Sequence, residues 1–221
     1  MLKTPLIIVN FKTYKESIGK NALKLAQICE KVAIDTSANI AVAVQAVDIY
    51  RISQCVEIPV FSQHIDNADY GQFTGHILAE AVKEAGAVGS LLNHSEHRLS
   101  LDIIKDIINK NKNRLEIVAC APTSEISAEI AKFKPSFIAV EPPALIGGNI
   151  SVSTAQPELI TNTVNKVSPF NVPVLCGAGI KTKEDVKIAL ELGAKGILLA
   201  SGVVKAKEPE KVLRDLASGL I

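Results

Sequence analysis

Eight short apolar runs pace the chain: Leu6–Asn10, Ile40–Val44, Val60–Gln63, Val88–Asn93, Ile117–Ala121, Phe137–Glu141, Val174–Gly177 and Ile197–Ala200. Each is continuous rather than alternating, the pattern of strands buried on both faces. Helical periodicity falls between them. Asn21–Val32 sets Ala22, Leu25, Ala26 and Cys29 on one stripe. Leu101–Ile108 follows Ser100 as N-cap, and Lys183–Leu192 follows Thr182 with Asp185 three residues on, close to a capping box. Val47–Gln54 reads as a clipped helix, and Pro209 suits the first turn of the last one. A chain that alternates strand and helix in this way must build a parallel sheet covered by helices.

An internal echo decides between an open and a closed sheet. Glu84-Ala85-Gly86-Ala87-Val88-Gly89 resembles Glu191-Leu192-Gly193-Ala194-Lys195-Gly196, half a chain later. In both, a helix ends on a glycine able to take the left-handed conformation, and a buried strand starts almost at once. Eight units with a half-chain echo predict a single-domain α/β fold over residues 1–221, a closed (β/α)8 TIM barrel, lean for its class.

Composition bounds the rest. Hydrophobic residues are 48% of the chain and aromatics 4%, so the core is aliphatic. With 24 basic and 23 acidic residues and no basic stripe interleaved with aromatics, no nucleic-acid partner is expected. No apolar stretch reaches membrane-spanning length and no signal peptide precedes the first run, so a soluble, cytoplasmic chain is expected. Cys29, Cys55, Cys120 and Cys176 show no CxxC spacing and read as reduced core residues.

In a (β/α)8 barrel the C-terminal strand ends converge on one site. The ends here carry Asn10-Phe11-Lys12, Gln63-His64, Asn93-His94-Ser95-Glu96, Glu141, Gly177-Ala178-Gly179 and Ala200-Ser201-Gly202. Glu141 closes an apolar run and opens Pro142-Pro143-Ala144-Leu145-Ile146-Gly147-Gly148-Asn149, an acid on a rigid strand tip before a loop with proline and glycine at its ends. That is the arrangement of a base beneath a lid. The small-residue turns after the last two strands suit phosphate, since backbone N–H groups can approach its oxygens; tight turns alone are the plainer account. A helix starting just after His94 would disfavour imidazolium and leave a neutral hydrogen-bond donor, against the alternative of a structural histidine. His76 and His97 read as surface or interface residues. Lys12 offsets an anionic ligand, Glu96 pairs with it and Asn10 holds it. No histidine pair has HExxH or other ligand spacing, so no metal is expected.

These motifs, in order and spacing along the whole chain, resemble the triosephosphate isomerase family. Asn10-Phe11-Lys12 is similar to its first-strand motif, Phe73-Thr74-Gly75 to its protruding third loop, Asn93-His94-Ser95-Glu96 to its His-Ser-Glu motif, and Val140-Glu141-Pro142 with Ile146-Gly147 to its base and lid. The chain departs from the family's commoner pattern in having no Trp, in Gly179 where a Ser is usual, in Ala200-Ser201 for a Gly-Gly pair and in His76 for a Glu. With the short length, this resembles the compact archaeal branch.

The resemblance implies an aldose–ketose isomerase of glycolysis and gluconeogenesis that needs no cofactor. It puts Glu141, His94, Lys12 and Asn10 in the catalytic set, Glu96 in support of Lys12, and Asn10, Phe11, Lys12, Ile146, Gly147, Gly179, Ala200 and Ser201 around the phosphorylated substrate. It also implies a homo-oligomer, a tetramer built as a dimer of dimers. Two other readings stay open on the residues. Another phosphate-binding barrel enzyme, such as a sugar-phosphate epimerase or a synthase of the tryptophan pathway, shares the last two turns but not a His on the fourth strand with Glu-Pro on the sixth. A non-catalytic phosphate-binding barrel has no need of a base.

Overall fold

A computed structural model describes residues 2–142 and 152–220. Eight strands form a closed parallel barrel in sequence order: β1 (Leu6–Asn10), β2 (Asn39–Val44), β3 (Val60–Ser62), β4 (Gly89–Leu92), β5 (Glu116–Ala121), β6 (Phe137–Val140), β7 (Val174–Gly177) and β8 (Gly196–Leu199). β8 closes onto β1 with Leu6 opposite Gly196. The helices are α1 (Lys20–Thr36), α2 (Ile49–Ser53), α3 (Ala79–Glu84), α4 (Leu101–Asn111), α5 (Ser124–Ala131), α6 (Val152–Ala155), α7 (Pro157–Val167), α8 (Lys183–Glu191), α9 (Ser201–Val204) and α10 (Pro209–Ser218). The predicted strands are all present, displaced by a residue or so at some ends.

The strands divide their side chains between two cores. Leu6, Ile8, Phe61, Leu91, Val118, Phe137, Leu175 and Leu198 fill the barrel. Their chain neighbours Ile7, Val9, Leu92, Ile117 and Ile138 pack outward against the helices. Strand periodicity of two makes this possible only because both faces are apolar. Continued one step toward the C-terminal rim, the inward register meets Asn10, Gln63, Asn93, Glu141 and Gly177. The barrel is thus dry through its middle and polar at one end.

The sequence echo is a structural one. Gly86 and Gly193 have φ of 100° and 98° and follow α3 and α8 in matching Schellman turns. Gly86 N–H donates to Lys83 O and Ala87 N–H to Val82 O (2.9 and 3.0 Å). Gly193 N–H and Ala194 N–H donate to Leu190 O and Ala189 O (2.9 and 3.1 Å).

Two expectations need correction. Cys29, Cys120 and Cys176 are buried, but Cys55 is exposed, because it falls on the turn that leaves α2 rather than on a strand or helix face. No helix starts at His94: a turn spans His94–His97, with His97 N–H donating to His94 O (2.8 Å), and α4 begins only at Leu101.

Candidate active site

Three non-glycine residues at the barrel mouth hold left-handed backbone: Lys12 (φ 50°), Asn93 (φ 57°) and Ala178 (φ 72°). Such conformations need surrounding bonds to hold them. Lys12 N–H donates to Asn10 Oδ1 (3.0 Å), and Gln63 Nε2 donates to Lys12 O (2.9 Å). Asn93 Nδ2 donates to Cys120 O on β5 (2.8 Å), while Asn93 Oδ1 accepts from Leu99 N–H (2.8 Å). The β1 and β4 exits are therefore tied to β3 and β5, so the side chains they carry have fixed starting points.

Those side chains meet. Lys12 Nζ lies 2.7 Å from Glu96 Oε1. Glu96 also donates its backbone N–H to His94 Nδ1 (3.2 Å). An accepting Nδ1 leaves the ring proton of neutral imidazole on Nε2. That nitrogen lies 3.6 Å from Glu141 Oε2. Burial and the Lys12 ammonium hold the His94 pKa down to about 4, against a weaker opposing pull from Glu96. The ring is neutral near pH 7 by desolvation and a neighbouring cation, not by a helix end.

Glu141 is 5% exposed, and its N–H is anchored to Ala121 O (2.9 Å). Burial raises its pKa to about 7, opposed by a hydrogen bond from the Cys120 thiol beneath it and by the charges of Lys12 and Arg98. Oε2 is buried without a hydrogen-bond partner. A buried carboxylate oxygen left unbonded is costly, and its position opposite an imidazole N–H donor leaves it available for a proton. The room it occupies comes from β7. A Cβ on Gly177 would stand 2.3 Å from Glu141 Cγ and 2.9 Å from Oε1.

These groups line one cleft. Its narrow part holds Asn10, Lys12, Tyr14, His94 and Glu141 on one side and Ala178–Lys181 and Ala200–Gly202 on the other. Its wider part, about 390 Å³, shares Asn10, Lys12 and His94 and runs out past Gln45–Val47, Gln63, His64 and His97. His64 and His97 stack there, ring centroids 3.9 Å apart. A larger hollow of about 870 Å³ lies at the opposite, N-terminal end of β5–β7, but no histidine or buried carboxylate faces it.

Of the residues singled out in the sequence, Asn10, Lys12, His94, Glu141, Gly179, Ala200 and Ser201 line the narrow cleft, with Glu96 lining the wider part. Ile146 and Gly147 lie outside the described residues. Phe11 is elsewhere: its ring is fully buried in the layer between barrel and helices, its N–H donates to Ala43 O (2.9 Å) and its O accepts from Ser17 Oγ (2.5 Å). Both its backbone groups are spent inside the fold. Tyr14 and Lys181 also line the cleft and carried no signal in the sequence beyond nearness to a strand end. Among the described residues, no group of three His, Cys, Asp or Glu side chains is disposed to hold a metal ion, and no helix is long and apolar enough to cross a membrane.

A parallel (β/α)8 barrel with a buried carboxylate facing a neutral imidazole at its C-terminal mouth defines an acid–base barrel enzyme. The family model for triosephosphate isomerase matches residues 5–217. The chain is 53% identical to the triosephosphate isomerase of Methanocaldococcus jannaschii over 214 residues, covering 96% of this chain and 98% of that one. It is 51% identical to that of Methanothermobacter thermautotrophicus over 219 residues, covering 97% and 95%, and 52% identical to that of Methanobacterium bryantii over 219 residues, covering 98% and 97%. The chain belongs to the triosephosphate isomerase family.

Proposed function

We propose that this barrel interconverts dihydroxyacetone phosphate and D-glyceraldehyde 3-phosphate. The observation that carries the reading is the pairing of Glu141 Oε2, buried and unbonded, with His94 Nε2 at 3.6 Å in one cleft. Glu141, as carboxylate, removes a proton from the carbon beside the substrate carbonyl. The Nε2–H of His94 donates to the carbonyl oxygen, where negative charge develops. The proton then returns to the neighbouring carbon, and proton exchange between the two enediol oxygens completes the isomerisation. This division of labour, a Glu base with a neutral His electrophile, is already the established one for triosephosphate isomerase itself and is not new to this chain. Lys12, paired with Glu96 and set by Asn10, stabilises the enediolate and the bound anion. Backbone N–H groups of Gly147, Gly179, Ala200 and Ser201 take the phosphate, and the segment after Pro142 excludes water.

A coupled assay with glyceraldehyde 3-phosphate, run with and without 2-phosphoglycolate, tests the reading. Isomerisation that 2-phosphoglycolate inhibits, and that Glu141→Gln lowers by at least about a hundredfold, is the expected result. Phosphate binding without isomerisation would favour a non-catalytic barrel. What the sequence resemblance implies is proposed with it: a cytoplasmic enzyme of glycolysis and gluconeogenesis, working as a homotetramer made of two dimers.

A further inference from the structure

We propose that Asn93 is a positioning residue of the isomerisation, fixing the distance between His94 and Glu141 by hooking the exit of β4 to the end of β5. The inference rests on the function proposed above. Strand pairing carries β4 and β5 together only as far as Leu92, opposite Ala119. At Asn93 the chain turns left-handed (φ 57°), a conformation that Gly and Asn take most readily. The Asn93 side chain then continues what the ladder no longer can. Its Nδ2 donates to the O of Cys120, the next residue along β5 (2.8 Å). Its Oδ1 accepts from Leu99 N–H (2.8 Å), and its backbone O accepts from Arg98 Nη1 (3.1 Å). His97 N–H donates to His94 O (2.8 Å), so the turn that carries the imidazole is closed on itself and pinned from both sides.

Glu141 hangs from the same stretch of β5. Its N–H donates to Ala121 O (2.9 Å), and the Cys120 thiol bonds its carboxylate from below. Two consecutive residues of one strand therefore hold both partners, and the 3.6 Å between His94 Nε2 and Glu141 Oε2 follows from those attachments. An amide is the group that suits position 93. Its partners are one carbonyl and one N–H, so the side chain must donate at one end and accept at the other. Asn93 is 4% exposed, so either bond left open would carry a desolvation cost. Glycine at 93 would keep the left-handed turn and lose both hooks, which separates what the backbone needs from what the side chain supplies.

The test is a double-mutant cycle of Asn93→Gly and His94→Gln. Asn93→Gly alone should lower kcat for glyceraldehyde 3-phosphate by roughly ten- to thirtyfold, the scale of a small misplacement, with KM and the Ki of 2-phosphoglycolate within about twofold of the parent. In the His94→Gln background the same change should cost less than about twofold, because the group it positions is gone. The carbonyl stretch of bound dihydroxyacetone phosphate, read by infrared, should move in Asn93→Gly back toward its value in water. Losses that multiply across the cycle overturn the proposal, since a merely structural asparagine lowers activity whether or not His94 is present. So does an unchanged kcat. Asn93→Ser, whose hydroxyl cannot span both partners, carries the same cycle if the glycine variant does not fold. A second readout needs no turnover. Lys12, Glu96, Arg98 and Glu141 are all retained in Asn93→Gly, so the titration of His94 reports the burial of its ring. Followed by NMR, it should rise from about 4 as the loosened turn admits water. If the parent protein fails to isomerise, the proposed function falls and this titration decides the role of Asn93 by itself: a ring that titrates as in the parent overturns it.

Discussion

Glu141 must be buried to be a strong base and ionised to be a base at all, and its raised pKa of about 7 records the conflict. The acid limb of kcat/KM should therefore rise with pH to a plateau above about 7, set by Glu141 in the free enzyme. His94, held to about 4, stays neutral across that range. Folding stability moves the other way. The native state keeps the Glu141 proton that the unfolded chain releases near 4.5, so the stabilisation is complete below that value and is lost as pH rises through about 7. A rise of about 2.5 units is worth roughly 3 kcal/mol. Urea melts should show Glu141→Gln more stable than the parent by up to that amount at pH 8 and nearly equal to it at pH 4. Gly177 sets the same carboxylate in place by leaving it room. Alanine there should push Glu141 toward solvent, cutting kcat by about ten- to a hundredfold while 2-phosphoglycolate still binds and the melting temperature changes little. Relief of desolvation should also move the acid limb to lower pH, a shift that a merely loosened barrel would not produce.

The turn from β7 into α8 shows how a helix cap can serve a site. Thr182 Oγ1 accepts from Asp185 N–H (3.2 Å), and Asp185 Oδ2 accepts from both Thr182 N–H and Lys181 N–H (3.0 Å each). One carboxylate therefore closes the capping box and also ties down the end of the small-residue turn. Asp185→Ala should cost about 1–2 kcal/mol, a melting shift of about 2–8 °C for a chain of this length. It should raise KM for phosphorylated ligands while leaving the acid limb of the pH profile in place. This cap was legible in the sequence as Thr182 followed by Asp185, because capping is local chemistry. The strands were legible for a related reason: burial on both faces writes itself as an uninterrupted apolar run. What could not be read was the turn of a side chain after a strand ends. Nothing in Tyr14 or Lys181 separates them from Lys15 or Lys183, since the choice of cleft or solvent depends on neighbours from other turns. The His64–His97 stack joins β3 to β4 through a contact that no spacing announces. Cys55 shows the same limit, apolar in composition and exposed by the turn on which it lies.

Across the whole molecule, the segment from β3 to α3 stands out as an arm. Its base is clamped by Asp66, whose N–H donates to Ile77 O (2.9 Å) and whose Oδ2 accepts from Ile77 N–H (2.6 Å). Beyond the clamp the chain projects Tyr70, 77% exposed, and Phe73, 42% exposed. Two exposed aromatics on one clamped arm give a second copy of the chain something to cover. The wide part of the cleft, about 390 Å³ beside Lys12, His94 and Glu96, is roomy enough for an aromatic side chain. In a symmetric pair, each arm can fill the other's cleft and dry the ion pair that holds Lys12. Such a pair would link assembly to catalysis, because Lys12, His94 and Glu96 would then face both partner and substrate. Light scattering should give about 94 kDa, four copies of 23.6 kDa, for the intact protein. Replacing both arm aromatics, Tyr70→Ser with Phe73→Asp, leaves the clamp and the barrel core untouched, so the fold should survive by circular dichroism. The product should be a smaller species whose kcat/KM falls by at least about tenfold, because Lys12 and Glu96 then face water. A variant that breaks apart yet turns over at the parent rate would separate assembly from the chemistry and show that each barrel sets its own Lys12.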